Sequence, residues 1–225
     1  MRLVCISDTH LSHPGTSLTR GTFPDMPPGD VLIHAGDALN RGGREELIEF
    51  APWLESLPYK HKIYVPGNHD CCFETKRAQA ERIMARLAPS VTLLLDSGTV
   101  IEGLFFWGSP WQPFFYDWAF QLPRDSDAID AKWQQIPNTT DVLITHGPPF
   151  GILDKVSKGY REDRPGCERL RRHVLDRVRP KLHVFGHIHA SHGTEQWAEN
   201  QPLFVNAAIC DEAYNPTNKP IEVEL

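Results

Sequence analysis

Five short apolar runs in the chain each end in residues able to bind a cation. Leu3-Val4-Cys5-Ile6 leads into Ser7-Asp8-Thr9-His10, Val31-Leu32-Ile33 into His34-Ala35-Gly36-Asp37, and Ile63-Tyr64-Val65 into Pro66-Gly67-Asn68-His69-Asp70. Val142-Leu143-Ile144 leads into Thr145-His146-Gly147-Pro148-Pro149, and Leu182-His183-Val184-Phe185 into Gly186-His187-Ile188-His189. Runs this short and this rich in β-branched residues, bounded by turn signals, read as buried strands. In open α/β sheets the loops beyond the carboxyl ends of strands converge on one crevice. Five such loops therefore bring Asp, Asn and His side chains to one place. The glycines beside them allow the tight turns this requires.

Between the runs lie helical patterns. Leu47, Phe50, Ala51 and Leu54 follow the i, i+3, i+4, i+7 spacing, with Pro52 expected to kink or split that helix. Ala80, Ile83, Met84 and Leu87 form a second stripe, and Cys167, Leu170, Val174 and Val178 a third. Strand-like runs at 91–95, 99–102, 104–107 and 203–206 come without intervening helices, which predicts hairpins in a mixed sheet. With no internal repeat, low-complexity tract or linker, one α/β domain spanning residues 1–225 is expected.

Composition narrows the class. The chain has 225 residues, enough for a core that needs no staples, and carries 23 Lys plus Arg against 29 Asp plus Glu, a net charge of −6. That balance lacks the basic footprint of a duplex nucleic-acid binder. An odd count of five cysteines at irregular spacing does not describe a disulfide framework. No apolar run approaches a membrane span, and the run before Asp8 is too short for a signal segment. A cytoplasmic location is the default expectation. Histidine, present 11 times, points to metal, because neutral imidazole is the commonest side-chain ligand.

Asp8, His10, Asp37, Asn68, His146, His187 and His189 offer seven oxygen or nitrogen donors. One ion cannot readily use seven bulky side chains, whereas two divalent ions sharing a carboxylate can. Mixed N/O donors suit Mn, Fe, Zn or Ni. Only Asp8 and Asp37 are anionic, so two dications leave the pocket near +2, a charge suited to a phosphate ester. Paired ions about 3.5–4 Å apart clamp attacking and leaving oxygens and acidify a bridging water.

Asp8-x-His10, Gly36-Asp37, Gly67-Asn68-His69-Asp70, His146-Gly147 and Gly186-His187-x-His189 together resemble the calcineurin-like metallophosphoesterase superfamily, in order and across residues 3 to 189. Trp107-Gly108-Ser109-Pro110-Trp111-Gln112-Pro113, Trp118-Ala119-Phe120, Thr145-His146-Gly147-Pro148-Pro149 and Asn206-Ala207-Ala208-Ile209-Cys210 resemble its metallophosphoesterase-domain-containing subgroup of class III cyclic nucleotide phosphodiesterases. The resemblance implies a four-layer αββα sandwich with mixed sheets and a dinuclear site at its rim. It further implies that Asp8, His10 and His189 hold one metal, that Asn68, His146 and His187 hold the other, and that Asp37 bridges them. His69 would then protonate the leaving alkoxide, Asp70 would orient its ring, and a bridging hydroxide would attack.

Other residues keep two readings. Asp70 is a turn residue or the partner of His69, and His34, inside a strand, is expected to be a hydrogen-bonded core histidine. His192 has a surface role or touches substrate. Arg161 and Arg164 belong to a solvated basic stretch or contact phosphate. Trp111, Phe114, Phe115, Trp118 and Phe120 are packing, or a stacking surface for a nucleobase. Cys71-Cys72 reads as a free thiol pair. The leading expectation is a phosphodiesterase acting on small phosphodiesters, cyclic nucleotides foremost, with oligomeric state open. The competitors are a phosphomonoesterase, against which Asn40 and Asp70 count, and a non-catalytic scaffold, against which the full donor set counts.

Overall fold

The computed structural model describes residues 1–16, 21–158 and 161–225, with the side chains of 157, 158, 161 and 162 outside the description. Its strands are β1 Arg2–Ile6, β2 Val31–His34, β3 His61–Tyr64, β4 Val91–Leu93, β5 Ser97–Ile101, β6 Leu104–Ser109, β7 Gln112–Pro113, β8 Gln121–Leu122, β9 Val142–Thr145, β10 Val156–Lys158, β11 Arg161–Asp163, β12 Leu182–Phe185, β13 Gly193–Glu195, β14 Leu203–Asn206 and β15 Ile221–Glu224. The helices are α1 Arg44–Ser56, α2 Cys72–Thr75, α3 Arg77–Leu87, α4 Asp127–Gln134 and α5 Glu168–Arg172, the last continuing as a π-helical stretch His173–Val178. None of the described helices is long and apolar enough to cross a membrane.

Two mixed sheets carry the chain, one ordered β15-β1-β2-β3-β4 and the other β13-β14-β12-β9-β6-β5. Strand residues alternate between faces with period two, and both faces are buried. Leu3, Cys5, Val31, Ile33 and Ile63 of the first sheet meet Phe106, Val142, Ile144, Val184 and Val205 of the second in one cluster. The opposite face of the first sheet, with Val4, Ile6, Leu32 and Tyr64, takes Leu47, Phe50 and Leu54 of α1 and Ala80 and Met84 of α3. The outer face of the second sheet, with Leu143, Phe185 and Phe204, takes Ile129 and Trp133 of α4 together with Leu170, Val174 and Val178. Three apolar interfaces separate four layers, the αββα sandwich that the family resemblance implies.

Two expectations are corrected. Helix α1 is not split at Pro52 and continues as one helix from Arg44 to Ser56. An interior proline costs about 3 kcal/mol, but each buried large apolar side chain contributes about 1.5–3 kcal/mol, and Leu47, Phe50 and Leu54 are all fully buried. Ile48, whose carbonyl loses its helical partner, is on the exposed side, where water can take that bond. The run at 91–95 makes no hairpin. Strand β4 lies parallel to β3 in the first sheet, whereas β5 starts the second and forms the hairpin with β6.

The parallel pairs β1–β2, β2–β3 and β9–β12 put their carboxyl ends at a common edge. There the loops bond to one another through main chain: Ser7 N donates to Ala207 O (2.9 Å), Asp8 N to Gly36 O (2.8 Å) and Gly186 N to His146 O (3.0 Å). The joint between the sheets is therefore a rigid platform for whatever these loops carry.

Candidate metal centre

The donors stand on bent backbone. Asp8 (φ 51°), His10 (42°), Asp37 (53°) and His187 (68°) are all left-handed, a conformation that costs non-glycine residues about 1–3 kcal/mol each and persists where surroundings enforce it. Here the loop bonds enforce it: His10 N donates to Asp37 O at 3.0 Å and His187 N to the Asp8 carboxylate at 3.0–3.1 Å. The glycines leave space for this. A Cβ on Gly36, itself at φ +100°, would lie 2.5 Å from His146 Nδ1, and one on Gly186 would overlap Asp8 Oδ2 and Ser7 Oγ. Gly186→Ala is accordingly expected to lower stability by at least about 2 kcal/mol and to displace Asp8. Denaturant unfolding and metal content check this, and a stable, fully loaded variant would contradict the packing.

The side chains close on a small volume. His189 Nε2 is 3.3 Å from both Asp8 Oδ1 and His10 Nε2. His146 Nε2 is 3.2 Å from Asp37 Oδ2 and 3.0 Å from Asn68 Oδ1, and His10 Nε2 is 4.0 Å from Asp37 Oδ2. Donor atoms of Asp8, His10 and His189 lie within 4.8 Å of one another, as do those of Asp37, His146 and His187, and those of His10, Asp37 and His69.

The rings are oriented by main chain. His10 Nδ1 meets Leu39 O (3.1 Å), His146 Nδ1 meets Ala35 O (2.9 Å) and His189 Nδ1 meets Asp211 O (2.9 Å). A carbonyl only accepts, so each Nδ1 carries a proton and each Nε2 faces inward, the nitrogen that would offer its lone pair to a metal. Gln112 Nε2 donates to Asn68 Oδ1 at 2.8 Å and so aims the amide oxygen the same way. Two Nε2 atoms 3.3 Å apart beside a buried carboxylate are placed to share a cation.

Charge follows from burial and contact. Burial opposes ionisation of Asp8, but the hydrogen bond and charge of His189 outweigh it and hold the carboxyl well below the usual range. Asp37 is likewise held low against burial, chiefly by the charge of His146. Burial pushes His10 down to about 4 and His187 to about 3. His146 rises to about 9 because the Asp37 charge overcomes its burial. Two carboxylates surrounded by imidazoles are a donor set that fits divalent metal.

His69 lies at the lip. Its main-chain N–H donates to Asp37 Oδ1 (2.8 Å), and its Nδ1 donates to Asn40 O (2.6 Å). Here the expectation for Asp70 is corrected. The Asp70 carboxylate accepts from Gly67 N (2.7 Å) and Leu39 N (2.9 Å), with Ala38 N at 3.4 Å, so it ties the loop after β2 to the loop after β3. Burial and the neighbouring Asp37 raise it to about 6. Buried, it answers to amides beneath the loop, and the ring of His69 is oriented by a backbone carbonyl instead.

A cleft of about 680 Å³ opens over the donors, with Phe114, Phe115, Tyr116, Arg164 and Tyr214 along its walls. Trp111 does not line it: Trp111 Nε1 donates to Asp96 Oδ2 at 2.9 Å, and Lys132 Nζ sits over the ring. His192 also stands apart, its Nε2 donating to Lys219 O at 3.0 Å. Both are held by local packing, which corrects their reading as substrate contacts. Arg161 has its side chain outside the described residues. His34 is a core histidine: Gly36 N donates to its Nδ1 and its Nε2 donates to Thr9 Oγ1 at 2.9 Å. The cysteines, Cys71 and Cys72 included, are free thiols. Three contributors escaped the sequence reading. Gln112 and the Asn40 carbonyl act on ligand or lip residues through contacts no local pattern announces, and Tyr214 packs against His10 (4.7 Å) and His189 (5.3 Å) from a remote loop.

A family model described as calcineurin-like phosphoesterase matches residues 1–191. The chain belongs to the calcineurin-like phosphoesterase family. Metallophosphoesterase domain-containing protein 1 of Homo sapiens is 41% identical over 244 residues, covering 100% of this chain and 71% of that protein. The UPF0046 protein K07C11.7 of Caenorhabditis elegans is 38% identical, covering 98% of this chain and 74% of the relative. Among solved structures, the phosphopantetheinyl hydrolase PptH of Mycobacterium tuberculosis shares the fold, with a TM-score of 0.61 at 17% identity over 97% of this chain and 95% of that one. As a calcineurin-like phosphoesterase the chain is a metal-dependent phosphoric ester hydrolase, and its inward-turned donors are where metal fits.

Proposed function

We propose that this calcineurin-like phosphoesterase hydrolyses small phosphodiesters bearing a flat organic group, cyclic nucleotides foremost, with two divalent ions. Asp8, His10 and His189 would hold one ion, Asn68, His146 and His187 the other, with Asp37 between them; Mn, Fe, Zn and Ni all suit such donors. When bound, the ions supply Lewis acidity to the phosphoryl oxygens and make water a nucleophile near neutral pH.

The protein's own residues do the rest. The oxygen of water forms the new P–O bond as the bond to the leaving oxygen breaks, and the electron pair departs with that oxygen. His69 Nε2–H gives it a proton and recovers one from solvent, while the proton lost by water goes to solvent. With Nδ1–H on Asn40 O, Nε2 is the ring nitrogen left to carry and pass on that proton.

The observation that carries the diester reading is the character of the cleft walls. Arg124 is paired with Glu168 at 3.0 Å and Arg164 with Asp154 at 3.0 Å, so both described guanidinium groups are already committed to carboxylates. A monoester dianion gains little there, whereas a diester monoanion needs only the metal end. Phe114 is 62% and Tyr116 80% exposed, yet their loop is built: Gln121 accepts from Phe115 N (3.1 Å) and donates to Phe115 O (2.7 Å). Aromatic faces held open beside a phosphate site suit a flat organic group, since stacking on them contributes about 1–3 kcal/mol per base.

The test is Mn-supplemented protein assayed on bis-p-nitrophenyl phosphate and p-nitrophenyl phosphate side by side. A preference for the diester of at least about ten-fold in kcat/KM, worth about 1.4 kcal/mol, is expected, followed by turnover of a cyclic nucleotide. Preference for the monoester would overturn the diester reading, and inactivity of the metal-loaded protein on every ester would favour the scaffold.

A further inference from the structure

The His69 ring is clamped on more sides than a hydrogen bond requires. Its Nδ1 is fixed on Asn40 O, and the edge of His10 approaches it at 4.8 Å and 85°. Trp118 lies flat against it, ring centroids 3.9 Å apart with 29° between the planes. That indole is half-buried and sits in the loop joining β7 to β8, remote in sequence from His69. The loop is anchored where it meets the metal side. Ala119 N donates to Asn68 O (3.2 Å), Phe120 N donates to the Glu74 carboxylate (3.1 Å), and Gln112 N donates to Phe120 O (3.0 Å). The residue after Trp118 is thus bonded to the residue before His69, so the indole and imidazole are held in register by the backbone.

With a carbonyl at Nδ1, a wall on one face and a ring edge nearby, His69 keeps Nε2 directed into the cleft. We propose that Trp118 is a positioning residue for His69, its indole face holding the imidazole in the orientation from which Nε2 reaches the leaving oxygen. The inference rests on the reading of His69 as proton donor. Such a role costs rate only where the leaving oxygen needs a proton, because a weakly basic phenolate departs without one.

Methyl aryl phosphates graded from p-nitrophenyl to unsubstituted phenyl separate this from a structural role. Trp118→Ala should lower kcat on methyl phenyl phosphate by about ten- to a hundred-fold, the cost of a misplaced group, and on methyl p-nitrophenyl phosphate by less than about three-fold, with KM within about two-fold. Trp118→Phe, which keeps a flat face, should recover most of the loss. In the His69→Ala background Trp118→Ala should add nothing, since residues acting as a unit are not additive. Trp118→Leu replaces the alanine variant if that one fails to fold. Equal losses along the series, a change confined to KM, or additivity with His69→Ala would overturn the inference. A His69→Ala protein insensitive to leaving-group basicity, or a wild type inactive on the whole series, would instead remove the proton-donor reading and the inference with it.

Discussion

Asp37→Asn protein is expected to lose metal and most of its activity while remaining folded. Asparagine keeps an oxygen where Asp37 Oδ1 accepts from His69 N at 2.8 Å, so the turn that carries His69 retains its bond. What disappears is the charge between the two donor groups, the one 3.2 Å from His146 Nε2 and 4.0 Å from His10 Nε2. Losing a residue that merely orients a ligand costs about 10–100-fold in metal affinity or activity. Losing a shared anionic ligand should therefore exceed about 100-fold, with metal content falling below that of the wild type. Elemental analysis of the purified variant, alongside kcat/KM on bis-p-nitrophenyl phosphate and a melting curve, measures all three. A variant that is fully loaded and active would end the assignment of Asp37 as the shared ligand.

His69→Ala should behave in the opposite way, retaining metal while turnover of methyl phenyl phosphate, whose leaving oxygen needs a proton, falls by about two to four orders of magnitude, the usual worth of general acid–base catalysis. The distinction matters because His69 also falls within 4.8 Å of donor atoms on His10 and Asp37, which is close enough for ligation. The main-chain bond from residue 69 to Asp37 survives the substitution, so loss of metal would mean that the imidazole itself is a ligand. Unchanged turnover would remove the proton-donor role. Slow turnover with full metal content is the result that the proposed mechanism requires.

The parts of the centre legible from sequence share one property: each donor lies within a few residues of a buried strand's end. Asp8, Asp37, Asn68, His146 and His187 could be grouped because parallel strands deliver their carboxyl ends to one edge. The layer order came through the family resemblance that these motifs carry, and burial of the runs is in keeping with it, since runs buried on both faces need partners on both faces. Asp70 shows where this local reading misleads. It adjoins His69 in sequence, yet its carboxylate is turned beneath the loop to Gly67 N and Leu39 N, and the group on His69 Nδ1 is a carbonyl, which no residue identity encodes. Trp111 and Trp118 were indistinguishable in sequence. The fold sends one to Asp96 and Lys132 and the other to His69.

The sequence by itself determined which candidate donors follow the buried strands and in what order, because strand burial and the turns that follow are decided by neighbours in the chain; the four-layer class came through the family resemblance that those motifs carry. Only the tertiary structure decided which nitrogen of His10, His146 and His189 faces inward, how Asn68 is turned by Gln112, that Pro52 stays within its helix, and that Trp118 and Tyr214 close around the site. Those outcomes depend on hydrogen bonds and packing between segments distant in the chain, whose energies exist only once the sheets have brought the segments together.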